Sequence, residues 1–266
     1  MANTTSGRGV SPGRRPTKAE RKEEARRERE RLQAQAAARK RNRTIGLSLV
    51  ALATVAVVVV VVIAQASKPK SDIPTTSALL AQAAAATKSA GCDAVASTPN
   101  FGNAPGADPT IDHAHIGTTI ASAPPLSAYP TTPPASGPHE PVPLPAGVYD
   151  SSPDIYASIH SLEHAGAIIW YAPSAANSDA VKQIKAFYRQ KANVGQTKVI
   201  VAPYDYASQG AQGSLPAGVQ MALAAWHRLQ TCASPNLAVA FDFTSQYSNG
   251  YGNAYKGVAR EPGLPL

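Results

Sequence analysis

The sequence predicts an α+β fold: one transmembrane helix followed by a single extracytoplasmic domain, built from a small sheet and a few helices and wrapped by a Pro-rich segment. Three observations predict it. Residues 45–64 form a run of twenty residues without a charge, enough at about 1.5 Å per residue to cross a hydrocarbon layer of about 30 Å. Downstream, 167–171 and 198–202 are short branched and aromatic runs that read as strands, and between them 179–191 carries Val181, Ile184, Phe187 and Tyr188 at helical spacing. Residues 99–145 contain twelve prolines, which block helices and impose extended segments and turns.

The first element is a basic tail, residues 1–44, with 14 basic and 5 acidic side chains. Glu23 and Arg27 stand at helical spacing, which suits a charged surface helix, and Leu32 as the single large apolar residue of 18–43 argues against a coiled coil. The tail has no aromatic residue to stack on bases, so anionic lipid headgroups, not nucleic acid, are its expected partner. The remainder of the chain holds 11 basic and 12 acidic side chains, so the formal charge of +8 belongs to the tail.

The second element is the span itself. Residues 26–45 carry eight Lys and Arg and residues 65–84 carry two, so the N-terminus is expected in the cytoplasm and the domain outside the cell membrane, as a single-pass signal-anchor protein. Ala64-Gln65-Ala66 has the form of a cleavage site, which leaves processing after Ala66 open. An Ala-rich stretch, 65–90, follows as a spacer or juxtamembrane helix.

The outer domain is expected over 91–249 and a Gly/Pro-rich, loosely held tail over 250–266. Asp179 lies where a helix N-cap belongs, and Pro203 should stop the second strand. Residues 219–229 and 237–243 are ambiguous between strand and helix. Cys92 and Cys232 are the only cysteines, both in the oxidising compartment, and are expected to pair as one disulfide bond; two free thiols are the alternative.

Five of the six histidines fall in 113–164: His113, His115, His139, His160 and His164. Imidazole is the commonest protein ligand for transition metals, so these five are the candidate ligands of a zinc or copper ion, with Glu163 orienting a ligand or acting as a base. His160-Ser161-Leu162-Glu163-His164 has the letters of a zinc-protease motif, H-x-x-E-H. On a helix its two histidines share a face about 5–6 Å apart, and on a strand about 13 Å separates them. The strand signal begins three residues later, so a loop-to-strand junction with at most one helical turn is expected there. His113 and His115, if on a strand, point the same way and could hold one ion with a third histidine.

The chain has no C-x-x-C, no phosphate-binding glycine loop and only two methionines, which argues against a thiol oxidoreductase, a nucleotide enzyme and a methionine-rich copper relay. A binding function therefore ranks above an enzymatic one in which Glu163 acts on metal-bound water. The alternative is a structural or interaction module of the cell envelope, meeting another envelope protein, whose histidines are hydrogen-bonded anchors.

The run 133–139 (Pro-Pro-Ala-Ser-Gly-Pro-His), then Gly147-Val148-Tyr149, then His160 to Gly166 resembles the pattern of a membrane-anchored actinobacterial family, domain-of-unknown-function family 3105. Gly91-Cys92, Ala202-Pro203-Tyr204, Ala225-Trp226 and Arg260-Glu261-Pro262 look like its other landmarks. The resemblance implies a basic tail, one anchor and one outer domain, and no activity. It also implies threonine where Ala135 stands and glycine where Ala165 and His227 stand, which argues against His227 as a site residue.

Overall fold

The computed structural model describes residues 22–23, 26–35, 37, 39–40, 74–102, 109–192, 198–249 and 255–266. The proposed span, 45–64, lies outside these residues; among the described ones no helix is long and apolar enough to cross a membrane. Two units divide the chain, 1–71 and 72–266. In the first, the described residues are helical and exposed, with i,i+4 pairs from Arg27 to Glu23 (2.7 Å) and from Arg26 to Glu30 (3.0 Å).

The second unit is α+β, built on a six-stranded mixed sheet ordered β1-β6-β5-β3-β4-β2. Its strands are β1 (Ala96–Ser97), β2 (Gly147–Val148), β3 (Ala167–Tyr171), β4 (Val199–Pro203), β5 (Met221–Ala225) and β6 (Arg228–Cys232). β4 runs parallel to β2 and β3, and the remaining pairs are antiparallel. Both expected strands are present, and Pro203 ends β4 as expected. The ambiguous 219–229 is a hairpin, β5 and β6 joined by Trp226 and His227. Every residue of β5 is buried, because both faces of the sheet are covered, and this removes the alternation that marks a half-exposed strand.

Side-chain alternation sorts the core into two layers. Ala167, Ile169 and Tyr171 of β3 face the helices α1 (Thr76–Ser89), α3 (Asp179–Ala192) and α4 (Leu237–Tyr247). Ser178 Oγ accepts the Val181 N–H at the start of α3, one residue before the expected Asp179. Helix α1 buries Leu79, Ala83 and Ala86 and packs along α4, so the second half of the expected spacer is part of the folded body. The ambiguous 237–243 opens α4, where Asn236 Oδ1 accepts the N–H groups of Ala238 and Val239.

Ile168 and Trp170 face the opposite layer, formed by α2 (Ile155–Glu163) and the proline-rich wrap. Helix α2 corrects the expected loop-to-strand junction, being nine residues long. Asp154 Oδ1 caps it by accepting the Ala157 N–H at 2.8 Å, and Ile155, Ile159 and Leu162 form the i, i+4, i+7 stripe that seats it on the sheet. It ends in a Schellman turn: the Ala165 N–H donates to Leu162 O and the Gly166 N–H to Ser161 O. Ala165 (φ 61) and His227 (φ 54) are the non-glycine residues with left-handed backbone among those described, and the resemblance expects glycine at both. Cys92 and Cys232 are bonded, their Cα atoms 3.9 Å apart, and close a loop that contains the whole wrap.

Candidate metal centre

The site lies at the C-terminal end of α2. His160 and Glu163 occupy its last turn and His164 its C-cap, on a flank beside the apolar stripe, and all three are buried. The wrap supplies the rest. The His139 N–H donates to Ala114 O and the Ile116 N–H to His139 O, so two short extended pieces pair and set His115 next to His139, their rings 5.0 Å apart. Gly137 (φ 120) makes this possible, since a Cβ there would lie 2.7 Å from the Tyr129 ring.

Each imidazole is oriented by a backbone carbonyl. Nδ1–H of His139 donates to Gly137 O (2.8 Å), that of His160 to Glu140 O (2.6 Å) and that of His164 to Pro265 O (2.6 Å). A neutral imidazole carries one N–H, so a neutral ring held this way keeps its lone pair on Nε2. Carbonyl-held imidazoles with free Nε2 atoms are the usual support of a metal ligand. His160 is neutral: burial, opposed by the bond to Glu140 O and reinforced by His139, His164 and His115, pushes it down to about 4.

These lone pairs converge. His115, His139, His160 and Glu163 each bring one donor atom to within 4.8 Å of the others, and so do His160, His164 and Glu261. The buried Nε2 atoms of His115 and His139 have no hydrogen-bond partner among the described residues. His139 Nε2 does lie 3.0 Å from Glu163 Oε2, but off the line a hydrogen bond needs, which is a close approach of two acceptors. Burial raises the Glu163 carboxyl; the hydrogen bond from His113 outweighs it and holds the group ionised, well below the usual carboxylate range.

His113 plays a different part from the one expected. It ends a 3₁₀ turn (Pro109–His113), not a strand, and its ring stacks on Trp226 at 5.1 Å. Its Nδ1–H donates to Glu163 Oε1 at 2.5 Å, leaving Oε2 facing the other imidazoles. Of the His113–His115 pair, His115 alone belongs to a convergent group among the described residues. His227 is half-buried and outside both groups; its Nε2–H donates to Asp112 Oδ2 at 2.9 Å.

Glu261, Asp112 and Lys198 were not legible as site residues. Glu261 comes from the C-terminal tail, which is held in place. Its N–H donates to Glu163 O, and Lys198 Nζ donates to the carbonyls of His164 (2.8 Å), Pro262 (2.9 Å) and Leu264 (2.5 Å). The Arg260-Glu261-Pro262 landmark was the one signal for it.

The fold and site thus define an α+β domain with a buried histidine and carboxylate cluster under a C-terminal strap. A profile of the family described as protein of unknown function (DUF3105) matches residues 126–261, about half of the chain, and the chain belongs to that family. No curated protein and no solved structure matches it.

Proposed function

We propose that the domain binds one divalent transition-metal ion, zinc or copper, through His115, His139, His160 and Glu163. The observation that carries this reading is the set of buried Nε2 atoms gathered there, those of His115 and His139 without a hydrogen-bond partner among the described residues and those of His139 and His160 backed by a carbonyl at Nδ1. Unpaired polar atoms at such depth cost roughly 1–3 kcal/mol each, a cost that coordination removes. The donors are imidazole and carboxylate, which suit Zn(II) and Cu(II); both cysteines are in the disulfide, and Met221 lies in the opposite layer. Metal analysis of the purified full-length chain after loading and dialysis tests it. One ion per chain is expected, lost in His139→Ala and His160→Ala; equal, substoichiometric metal in all three proteins would overturn it.

A second reading has its own support. Glu261 Oε2 lies 3.1 Å from His164 Nε2, so a protonated His164 could bridge Glu261 and His160 without an ion, as in a structural module of the cell envelope. Under that reading a chelator leaves the melting temperature unchanged.

We further infer that residues 45–64 anchor the chain with the domain outside the membrane and the basic tail against anionic headgroups. The charge asymmetry about this run and the oxidised cysteine pair support it. Protease treatment of intact cells should remove the domain and spare the tail.

A further inference from the structure

We propose that His160 is shared by two successive ion positions, so that a divalent cation is admitted at a rim formed by His164 and Glu261 and handed inward to His115, His139 and Glu163. The proposal rests on the metal-binding reading and adds a route to it.

His160 belongs to both convergent groups. Its Nδ1–H is committed to Glu140 O, so it has one lone pair, on Nε2. That atom lies 3.0 Å from His164 Nε2, and the His160 ring packs against those of His115 and His139, with centroids 5.0 and 4.6 Å away. One lone pair serves one ion at a time, so the two positions exclude each other.

The groups also differ in access. In the inner one, His139, His160 and Glu163 are buried and His115 half-buried; in the outer one, the Glu261 side chain is 47 % exposed and meets solvent. A solvated cation meets that carboxylate first. An anionic rim residue shortens the search and offers oxygen in exchange for water before the imidazoles are engaged.

The transfer is a ligand exchange. The ion gives up Glu261 and His164, keeps His160, and gains His139, His115 and the Glu163 oxygen that His113 leaves free. No electron moves, and the Nδ1 protons stay on their rings, hydrogen-bonded to the carbonyls, so nothing beyond the ion is required.

Stopped-flow mixing of the full-length chain with Zn(II), followed by release to a competing chromogenic chelator, tests the route. The variants are Glu261→Gln, which keeps the side chain's size, and Glu163→Gln. Wild type is expected to retain one zinc. Glu261→Gln should also retain one, with uptake and release both slowed by about tenfold, the lower end of what charge steering contributes to a rate, and the affinity nearly unchanged. Glu163→Gln should still take up zinc quickly but lose it on dialysis. Unchanged rates in Glu261→Gln would overturn the route, as would loss of the retained ion in that variant or two zinc ions bound at once in wild type. Absence of zinc binding by wild type would instead reject the metal reading, and the route with it.

Discussion

His160 Nε2 and His164 Nε2 face each other at 3.0 Å, each ring fixed from behind by a carbonyl that accepts its Nδ1–H. Helix spacing alone would leave the two histidines about 5–6 Å apart at Cβ. A cation bound between the two Nε2 atoms would make a bond to each of them. A ligand that binds the folded state alone at 100 times its Kd stabilises by about 2.7 kcal/mol. Chelator is therefore expected to lower the melting temperature of zinc-loaded protein by several degrees and to leave His160→Ala unmoved, as measured by calorimetry.

Lys198 is the pin of the C-terminal strap. It is buried beneath the strap, burial pulls its ammonium below the ordinary lysine value, and its three donors go to three carbonyls. Lys198→Met keeps the apolar stem and removes those donors. It should cost about 2–4 kcal/mol in urea unfolding, on the order of one or two hydrogen bonds to a charged group. Hydrogen exchange at the Glu261 and Leu264 amides should quicken while that of β3 does not.

Asp112 is 1 % exposed and gathers the wrap onto the sheet. It accepts the Phe101 N–H (2.6 Å), the Ser136 hydroxyl (3.0 Å) and His227 Nε2–H (2.9 Å). Burial raises its carboxyl, but these donors outweigh burial and hold it below the usual range. A carboxyl depressed by folding contributes stability that is fully present above its unfolded value, about 3.9, and is lost as pH falls through the folded one. Asp112→Asn should therefore be less stable than wild type by about 3 kcal/mol near neutrality, by the usual cost of breaking a buried pair. The gap should begin to narrow below about pH 4 and close as pH falls through the folded value. A gap independent of pH in chemical denaturation would contradict this.

The Cys92–Cys232 bond closes a loop with a sequence separation of 140 and holds the start of the domain to β6. On the chain-entropy account such a loop is worth roughly 4–5 kcal/mol. Reduction should lower stability by about that amount, and domain made in a reducing cytoplasm should fold poorly. Mass mapping of non-reduced peptides from envelope protein should recover the linked pair.

Local order was legible where a periodic pattern sat beside its own punctuation. Residues 167–171 and 199–203 are branched runs closed by turns or proline, and α3 shows its stripe openly. Helix α2 escaped because its stripe is only Ile155, Ile159 and Leu162, and because the turn that ends it uses Ala165 where a glycine would have announced it. Central β5 and the start of α4 are apolar on every side, so neither period shows.

The histidines and the cysteine pair could be named as candidates from the chain alone, since residue type settles what each can ligate or bond. Which of them meet was decided by tertiary structure. His113 and His115 are two residues apart, yet one props Glu163 and the other joins the lone-pair cluster, because a 3₁₀ turn and not a strand separates their directions. Glu261 and His164 stand 97 positions apart in sequence and 3.1 Å apart in space, through a strap held by Lys198. The physical reason is that helix and strand signals are carried by neighbours along the chain, whereas a site is made by carbonyls and side chains that only packing brings to the same few ångströms.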